Sequence, residues 1–231
     1  MSEHPDLTVY RIIHRGMRAD TARLTAAVRS LTEAERARRV PDIVRWYKGF
    51  LTEFQGHHTV EDDIFFPALA ERVPIFADRL ERLDAEHHTL EAALVGVDEA
   101  VRSLADPEVA WRDVHRDALD ALVVADNELT LHLDHEDADV LPLFVRHMSK
   151  IEYDELGERA QKQLSFGNMA FALPWIMSQT TDDELKKMRA EAPLPLKLIW
   201  YATRGRYARL ASRALGEYAG APYEGVAVQT M

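Results

Sequence analysis

The chain has 231 residues, no cysteine and a formal net charge of −11, from 28 basic and 39 acidic side chains. The lack of thiols excludes disulfides, thiolate metal sites and iron–sulfur clusters, and it fits a reducing compartment. The negative charge argues against a nucleic-acid partner, because nucleic-acid binding relies on a positive protein surface. The whole acidic excess lies in residues 1–150, whereas residues 151–231 carry ten acidic and ten basic side chains.

No apolar run approaches the roughly 20 residues that a membrane span needs. The first residues lack the basic and apolar regions of a signal peptide. We therefore expect a cytoplasmic protein without a membrane span.

The first predicted element, helix A, runs from Leu7 to Leu31, where apolar residues recur at helical spacing. His14 lies beside this apolar stripe. A capping box at Thr32–Glu35 begins the next helical stretch. Helix B is predicted from Pro41 to about Val73, because proline is tolerated in the first turn of a helix.

Helix B carries the group of residues that suggests a function. With His57 at zero, Glu61 lies at about 40° and His58 at about 100° around a helix, so the carboxylate lies between two imidazoles. This arrangement is typical of metal ligands on bundle helices. The same face continues an aromatic stripe, which places the site in the interior. The stripe consists of Trp46, Phe50, Phe54, His57, Glu61 and Phe65.

The motif recurs in a later helix at a constant offset of 75 residues, which pairs His57 with His132, Glu61 with Glu136 and Pro67 with Pro142. A weaker echo pairs His14 with His87 at an offset of 73 residues. The offsets indicate two helical hairpins, each with a histidine on its first helix and His-x-x-x-Glu on its second. Each internal proline is predicted to kink its helix or to begin its last segment.

Helix C is predicted from Ile75 to Leu104 and helix D from Val109 to Met148. Four long helices with short links favour an all-α, up-down-up-down four-helix bundle in residues 1–150. Residues 151–231 are predicted to form a smaller C-terminal helical extension packed on the bundle. Its predicted helix boundaries are Gly167, Pro174, the pair Pro193 and Pro195, and Gly216, with a capping box at Thr181–Glu184 and a loose tail from Gly220.

The segment Pro195–Leu215 is amphipathic, with apolar residues on one face and arginines on the other. Two interpretations are open. The helix could bind a membrane surface or a partner. The favoured alternative is that its apolar face packs on the bundle while its arginines are solvated.

Seven side chains are candidate metal ligands, namely His14, His57, His58, Glu61, His87, His132 and Glu136. Neutral imidazoles and carboxylates without thiolates suit iron, manganese or zinc. Seven donors are too many for one tetrahedral zinc ion. They suit two ions that share Glu61 and Glu136 as bridges, which favours a redox-active iron pair.

Other polar residues near these positions are expected to support the site. Asp62 and Asp137 could accept hydrogen bonds from the rings of ligand histidines. Three residues are expected at the surface or around the ligands, namely His88, Glu91 and His135. Candidate proton donors are Tyr10, Tyr47 and His135.

These motifs resemble the hemerythrin-like, or HHE cation-binding, family over about residues 7–148. The resemblance implies a four-helix bundle with a non-haem centre of two iron ions joined by an oxo or hydroxo bridge. It implies that Glu61 and Glu136 bridge the ions. The implied terminal ligands are His14, His57, His87 and His132.

The chain departs from the oxygen-carrying members of this family. They have a second histidine four residues after the helix C ligand, where this chain has Glu91. They place the last carboxylate at the position of Asp137, whereas Glu136 fits the internal repeat. His58 could replace the missing imidazole, and these departures argue against simple reversible oxygen carriage. Residues 151–231 are similar to the C-terminal extension of some larger bacterial members.

Three functions are compatible with the sequence. The iron pair could be the centre of an oxidoreductase that consumes peroxide or nitric oxide. It could instead bind dioxygen or iron for storage, carriage or sensing without turnover. A metal that only stabilises the bundle is disfavoured, because a structural site has no need of a bridged redox pair. The expected partner is a small molecule such as dioxygen, peroxide or nitric oxide.

Overall fold

The computed structural model describes residues 4–163 and 166–220, and within these ranges the only regular secondary structure is helical. The α-helices are α1 (Thr8–Arg29), α2 (Arg36–Val60), α3 (Phe66–Arg72), α4 (Ala77–Ser103), α5 (Trp111–His135), α6 (Leu141–His147), α7 (Lys150–Gln163), α8 (Phe166–Ser178), α9 (Asp182–Glu191) and α10 (Leu194–Leu215). The predicted all-α class is confirmed. None of the described helices is both long and apolar enough to cross a membrane.

Helix B begins earlier than the sequence predicted. The capping box is formed, with the backbone N–H of Thr32 donating to Glu35 Oε2 at 3.3 Å. A short 3-10 turn follows, and α2 starts at Arg36, so that Pro41 lies inside the helix. Proline removes only one hydrogen bond near a helix start, which explains why the cap sets the boundary instead.

Helices B and D each contain a five-residue π-helical turn. The turns span Glu61–Phe65 and Glu136–Val140, and each is followed by a short helix with proline in its first turn. A proline ring clashes with the carbonyl four residues earlier in an α-helix. That carbonyl lies within the π turn in both cases, where the wider turn relieves the clash. Pro67 and Pro142 therefore begin the last helical segments, which is one of the two outcomes predicted for them.

The bundle core consists of two apolar clusters, and His14 lies between them along α1. On α1, Leu7 and Tyr10 belong to one cluster, and Met17 and Leu24 belong to the other. Four long helical rods pack around these clusters through the pairs α1 with α5, α5 with α4, and α4 with α2. This arrangement places the polar residues near His14 in the interior.

Helices of the C-terminal part pack on the outer side of α1 and α2. Close approach is possible at two glycines: a Cβ at Gly49 would lie 2.5 Å from the Phe171 ring, and a Cβ at Gly16 would lie 2.7 Å from Gln179 Cγ. Phe171 and Gln179 flank Trp175, which is buried. The contact depends on small residues in the bundle, and α10 also packs on α2, with Tyr207 and Ala211 buried.

A buried carboxylate on α1 anchors this contact. Asp20 is 2% exposed and accepts hydrogen bonds from Trp175 Nε1 at 2.7 Å and Gln179 Nε2 at 3.0 Å. Arg23 donates to its other oxygen at 2.7 Å. Burial raises the pKa of Asp20, although Arg23 acts in the opposite direction. One oxygen of Asp20 therefore binds side chains that lie more than 150 positions away in the sequence.

One predicted boundary in the extension is wrong: Pro174 lies within α8, because the segment is apolar enough to pack as one helix despite the lost donor. The boundary predicted at Gly167 is displaced by one residue, since α8 begins at Phe166. The capping box at Thr181–Glu184 is formed, and the prolines at 193 and 195 separate α9 from α10. Gly216 ends α10 with a positive φ of 62°. The predicted tail beyond Gly220 lies outside the described residues.

Candidate metal centre

The bundle helices bring seven histidine and glutamate side chains together between the two apolar clusters. They form two groups, within each of which the possible ligand atoms lie within 4.8 Å of one another. The two-histidine group comprises His14, His57, Glu61 and Glu136, and the three-histidine group comprises His58, His87 and His132. These are the seven side chains that the sequence analysis put forward as ligands.

Adjacent histidines on α2 face different groups. Residues next to each other on a helix are separated by about 100°, so His57 and His58 cannot point at the same place. His57 lies in the two-histidine group, while the ring of His58 stacks on His87 with 3.9 Å between centroids. Helix B therefore supplies one imidazole to each group.

Glu61 lies between the groups at the start of its π turn. Its Oε1 is 3.0 Å from His57 Nε2, and its Oε2 is 3.8 Å from His87 Nε2. The side chain is completely buried. One carboxylate thus presents one oxygen to each group.

Glu136 repeats this arrangement from helix D. Its Oε2 is 3.2 Å from His14 Nε2, and its Oε1 is 3.6 Å from His132 Nε2 and 3.7 Å from His87 Nε2. It is also completely buried and also begins a π turn. The internal repeat of the sequence therefore corresponds to two carboxylates that span the same gap from opposite helices.

Many of the possible ligand atoms lack hydrogen-bond partners within the protein. Among the described residues, seven buried nitrogen and oxygen atoms of the two groups have no hydrogen-bond partner; they belong to His58, Glu61, His87, His132 and Glu136. Each unsatisfied buried polar group costs about 1–3 kcal/mol, and native proteins contain only a few per 100 residues. Such a concentration fits metal cations, which accept lone pairs from imidazole and carboxylate alike.

A comparison with protein families agrees with this donor set. Residues 7–144 match the family model described as the hemerythrin HHE cation binding domain, which covers more than half of the chain. The chain belongs to the hemerythrin HHE family. No curated protein and no solved structure matches it. Hemerythrin domains bind metal cations, typically iron, and the histidine and glutamate groups lie within the matched range.

Two carboxylates hold rings of the hemerythrin centre from outside, as the sequence predicted. His14 Nδ1 lies 2.9 Å from Asp137, which Arg18 also contacts at 2.9 Å. His87 Nδ1 lies 3.0 Å from Asp62. In both cases Nε2 is turned towards the carboxylates at the gap. A carboxylate on one ring nitrogen fixes the tautomer and makes the other nitrogen a better ligand.

A third carboxylate, Glu86, was missed by the sequence analysis. Its Oε2 lies 3.5 Å from His132 Nδ1, and its Oε1 lies 2.9 Å from His135 Nδ1. Arg82 donates to the same oxygen at 2.8 Å. His135 therefore lies outside both groups. The position of Glu86 directly before His87 on α4 was the available signal in the sequence. The histidine that Glu86 faces, His132, is on α5.

The surroundings shift the pKa values of the histidines in opposite directions. Burial favours neutral rings, yet contacts with Asp137 and Glu136 outweigh it and raise the pKa of His14 to about 9. Asp62 and Glu136 likewise overcome burial and raise the pKa of His87 to about 10. Burial, together with the nearby His87, lowers the pKa of His58 well below its usual value. In the metal-free protein, protons therefore occupy His14 and His87.

A tyrosine completes the two-histidine group. The hydroxyl of Tyr10 donates a hydrogen bond to Glu61 Oε1. Its ring lies 4.7 Å from that of His14 and 5.3 Å from that of His57. Burial, Glu136 and Glu61 raise the pKa of Tyr10 well above its usual value, so the hydroxyl keeps its proton. Tyr47, another predicted donor, instead donates to the carbonyl of Leu94.

Two cavities reach the groups from different sides. One of about 130 Å³ lies between α2 and α4 beside the three-histidine group; it is lined by Phe54, Gln55, His58, Thr59, Asp62, His87, His88 and Glu91. Another lies beside His14, at the edge of the two-histidine group. His88 is exposed and Glu91 accepts from Gln55 at 2.9 Å, so both lie at the mouth of the first cavity.

Proposed function

We propose that the chain holds two iron ions shared by Glu61 and Glu136, and that this pair reacts with a small oxidant such as peroxide, nitric oxide or dioxygen. The supporting observation is that each carboxylate turns one oxygen to each histidine group. When bound, an iron pair supplies coupled one-electron steps to a small molecule.

The two groups offer unequal protein ligation. Three imidazoles face one side of the carboxylate pair, and two face the other. An ion held by fewer protein donors keeps more positions for a small molecule. We therefore expect the small oxidant on the side of His14 and His57.

Tyr10 is the residue that favours turnover on that side. It is 6% exposed, carries its proton at neutral pH and is hydrogen-bonded to a candidate bridging carboxylate. Reduction of peroxide requires protons, and a donor within the buried site supplies them without admitting bulk water. Phe65 and Phe144 close the same side, with their ring centroids 6.5 and 6.4 Å from that of Tyr10.

A second candidate function is binding of dioxygen or iron without turnover, for storage, carriage or sensing. The burial of the whole ligand set favours it. All seven side chains are buried or nearly so. A centre screened from solvent and external reductants can release a bound small molecule unchanged.

The test is to purify the protein from iron-replete cells, measure its metals and follow peroxide loss beside the spectra under dioxygen and nitric oxide. We expect two irons per chain and peroxide consumption that the Glu136→Ala variant loses together with its iron. A reversible spectral change with no consumption would favour the second candidate. One zinc and no iron would contradict the iron-pair proposal.

A further inference from the structure

The surface of α9 and α10 has a charge opposite to that of the rest of the chain. Residues 186–213 contain eight lysines and arginines and one carboxylate, Glu191, which gives a formal charge of +7. The whole chain carries −11, so the remaining residues carry −18. The side chains of Lys186, Arg189, Arg204, Arg206 and Arg209 are exposed. Arg206 and Arg209 form no ion pair with the residues that the structure describes.

Three large apolar side chains are exposed on the same helix. Leu194 is 68% exposed, Leu198 is 61% exposed and Tyr201 is 49% exposed. Their spacing of four and three residues places them on one side of α10. Trp200 lies about 100° round the helix from Tyr201 and is buried, so the exposed stripe borders the face that packs on the bundle.

Two arginines stack on aromatic rings beside this stripe. The Arg204 guanidinium lies 4.9 Å from the ring centroid of Trp200 and 5.0 Å from that of Tyr201. Arg189 lies 5.3 Å from the Trp200 ring and donates to the Tyr201 hydroxyl at 2.8 Å. Tyrosine favours the level of lipid headgroups, and Tyr201 is exposed. The stacks hold cations at the same level as the exposed apolar side chains.

We propose that this lipid-facing surface docks the protein on an anionic bilayer. We define the surface by the exposed side chains of Leu194, Leu198, Tyr201, Arg204, Arg206 and Arg209. An amphipathic helix adsorbs with its apolar residues below the headgroups and its cations among them. The negative charge elsewhere is repelled by anionic lipid, so only this surface faces the membrane. The proposal does not depend on the function of the metal centre.

The size of the apolar stripe favours lipid over a protein partner. A stable protein–protein interface contains about 20–30 residues on each side and has an apolar centre. The three exposed apolar side chains of α10 would form only a small part of such a centre. A bilayer requires no matching surface, because leucine side chains enter the acyl boundary individually. The acidic bundle of a second copy is the main competing anionic surface, so the test includes self-association.

The experiment is flotation of the full chain with vesicles of phosphatidylcholine alone and of an equal mixture with phosphatidylglycerol. We expect flotation with the anionic vesicles only, weakened by added salt. Arg206→Gln combined with Arg209→Gln should weaken partitioning about 30-fold, because each cation contributes a factor of about five near the surface. Leu198→Glu should abolish flotation.

Matched variants separate the surface from general changes in charge and fold. Ile151→Glu adds the same charge at a side chain that is 71% exposed on α7. Arg112→Gln combined with Arg146→Gln removes two exposed cations elsewhere. Both should float like the wild type, and circular dichroism should show equal helix content for every variant.

Several results would overturn the proposal. These are no flotation of the wild type, equal flotation with neutral vesicles, or equal loss in the Ile151 and Arg112/Arg146 variants. Duplex DNA binding with no lipid binding would assign the cations to nucleic acid. Light scattering that shows self-association removed by Leu198→Glu, again without lipid binding, would make the surface an interface between copies.

Discussion

At the scale of single residues, the centre depends on carboxylates in two different positions. Glu61 and Glu136 lie between the histidine groups, whereas Asp62, Asp137 and Glu86 contact ring nitrogens from outside. The inner pair faces both histidine groups. Asp137 and Asp62, which lie within hydrogen-bonding distance of His14 and His87, set the direction in which these rings present their other nitrogen.

The first prediction concerns an outer carboxylate. Asp137→Asn removes the charge that holds His14, and we expect iron affinity to fall about 10–100-fold. Asp134→Asn is the matched control, because Asp134 also bonds to Arg18, at 2.7 Å, but touches no candidate ligand ring. Competition with a chelator measures both. Equal losses in the two variants would show that Arg18, and not the ring contact, matters.

Tyr10 provides a prediction that separates turnover from binding. Tyr10→Phe removes the donor to Glu61 while keeping the ring, so iron content should stay at the wild-type level. Peroxide consumption should slow about 100-fold if the hydroxyl is a general acid. Tyr153→Phe is the control, since its ring packs 5.3 Å from Phe65 on the same side. An unchanged rate in Tyr10→Phe would remove this residue from the mechanism.

At the scale of elements, the sequence predicted helices better than the joints between them. The repeat located Glu61 and Glu136 because both copies keep the same spacing around a proline. It gave no sign of the π turns, since the pattern of apolar residues is compatible with either helical geometry over five residues. Glu86 was missed because its partner His132 lies on another helix, 46 positions away in the sequence. Packing decides such contacts.

The buried anchor on α1 gives a prediction about how α8 docks. Asp20→Ala removes the acceptor of Trp175 Nε1 and Gln179 Nε2 and breaks a buried ion pair with Arg23, so we expect a loss of about 3–5 kcal/mol in the free energy of unfolding. Asp20→Asn keeps an acceptor and should lose less. Asp183→Ala, at an exposed position on α9, should change stability by less than about 0.5 kcal/mol. Urea unfolding measures the stability of each variant. An Asp20→Ala variant as stable as the wild type would contradict the proposal that Asp20 anchors α8.

At the scale of the whole molecule, metal binding should be linked to pH. Metals bind neutral imidazole, while His14 and His87 hold protons in the metal-free protein up to pKa values of about 9 and 10. Binding at pH 7 should therefore release about two protons, and affinity should rise with pH until those pKa values are passed. Calorimetry with manganese in buffers of different ionisation heat measures the release. Proton uptake, or none, would contradict the assignment.

Metal should also stabilise the fold as a whole. An ion that binds only the native state at 100 times its Kd adds about 2.7 kcal/mol, which corresponds to a Tm higher by about 5–10 °C in a chain of this size. We expect the metal-free protein to remain helical, because the apolar clusters above and below the centre do not involve metal. Thermal melts by circular dichroism test this, with Glu136→Ala as the variant that should show no shift. Equal melting temperatures would mean that the ions are not coordinated in the core.

The glycines at positions 16 and 49 have a consequence for how the chain can be divided. Each leaves a notch on the outside of the bundle, and the side chains of Gln179 and Phe171 fill these notches. Trp175, which lies four positions from each of them in the sequence, is buried and packs against the ring of Phe50. A bundle cut at residue 150 would keep its candidate ligands but carry two open hollows shaped for a segment it no longer has. We therefore expect a fragment of residues 1–150 to be less stable than the full chain, because the spaces at Gly16 and Gly49 would lose the side chains that fill them.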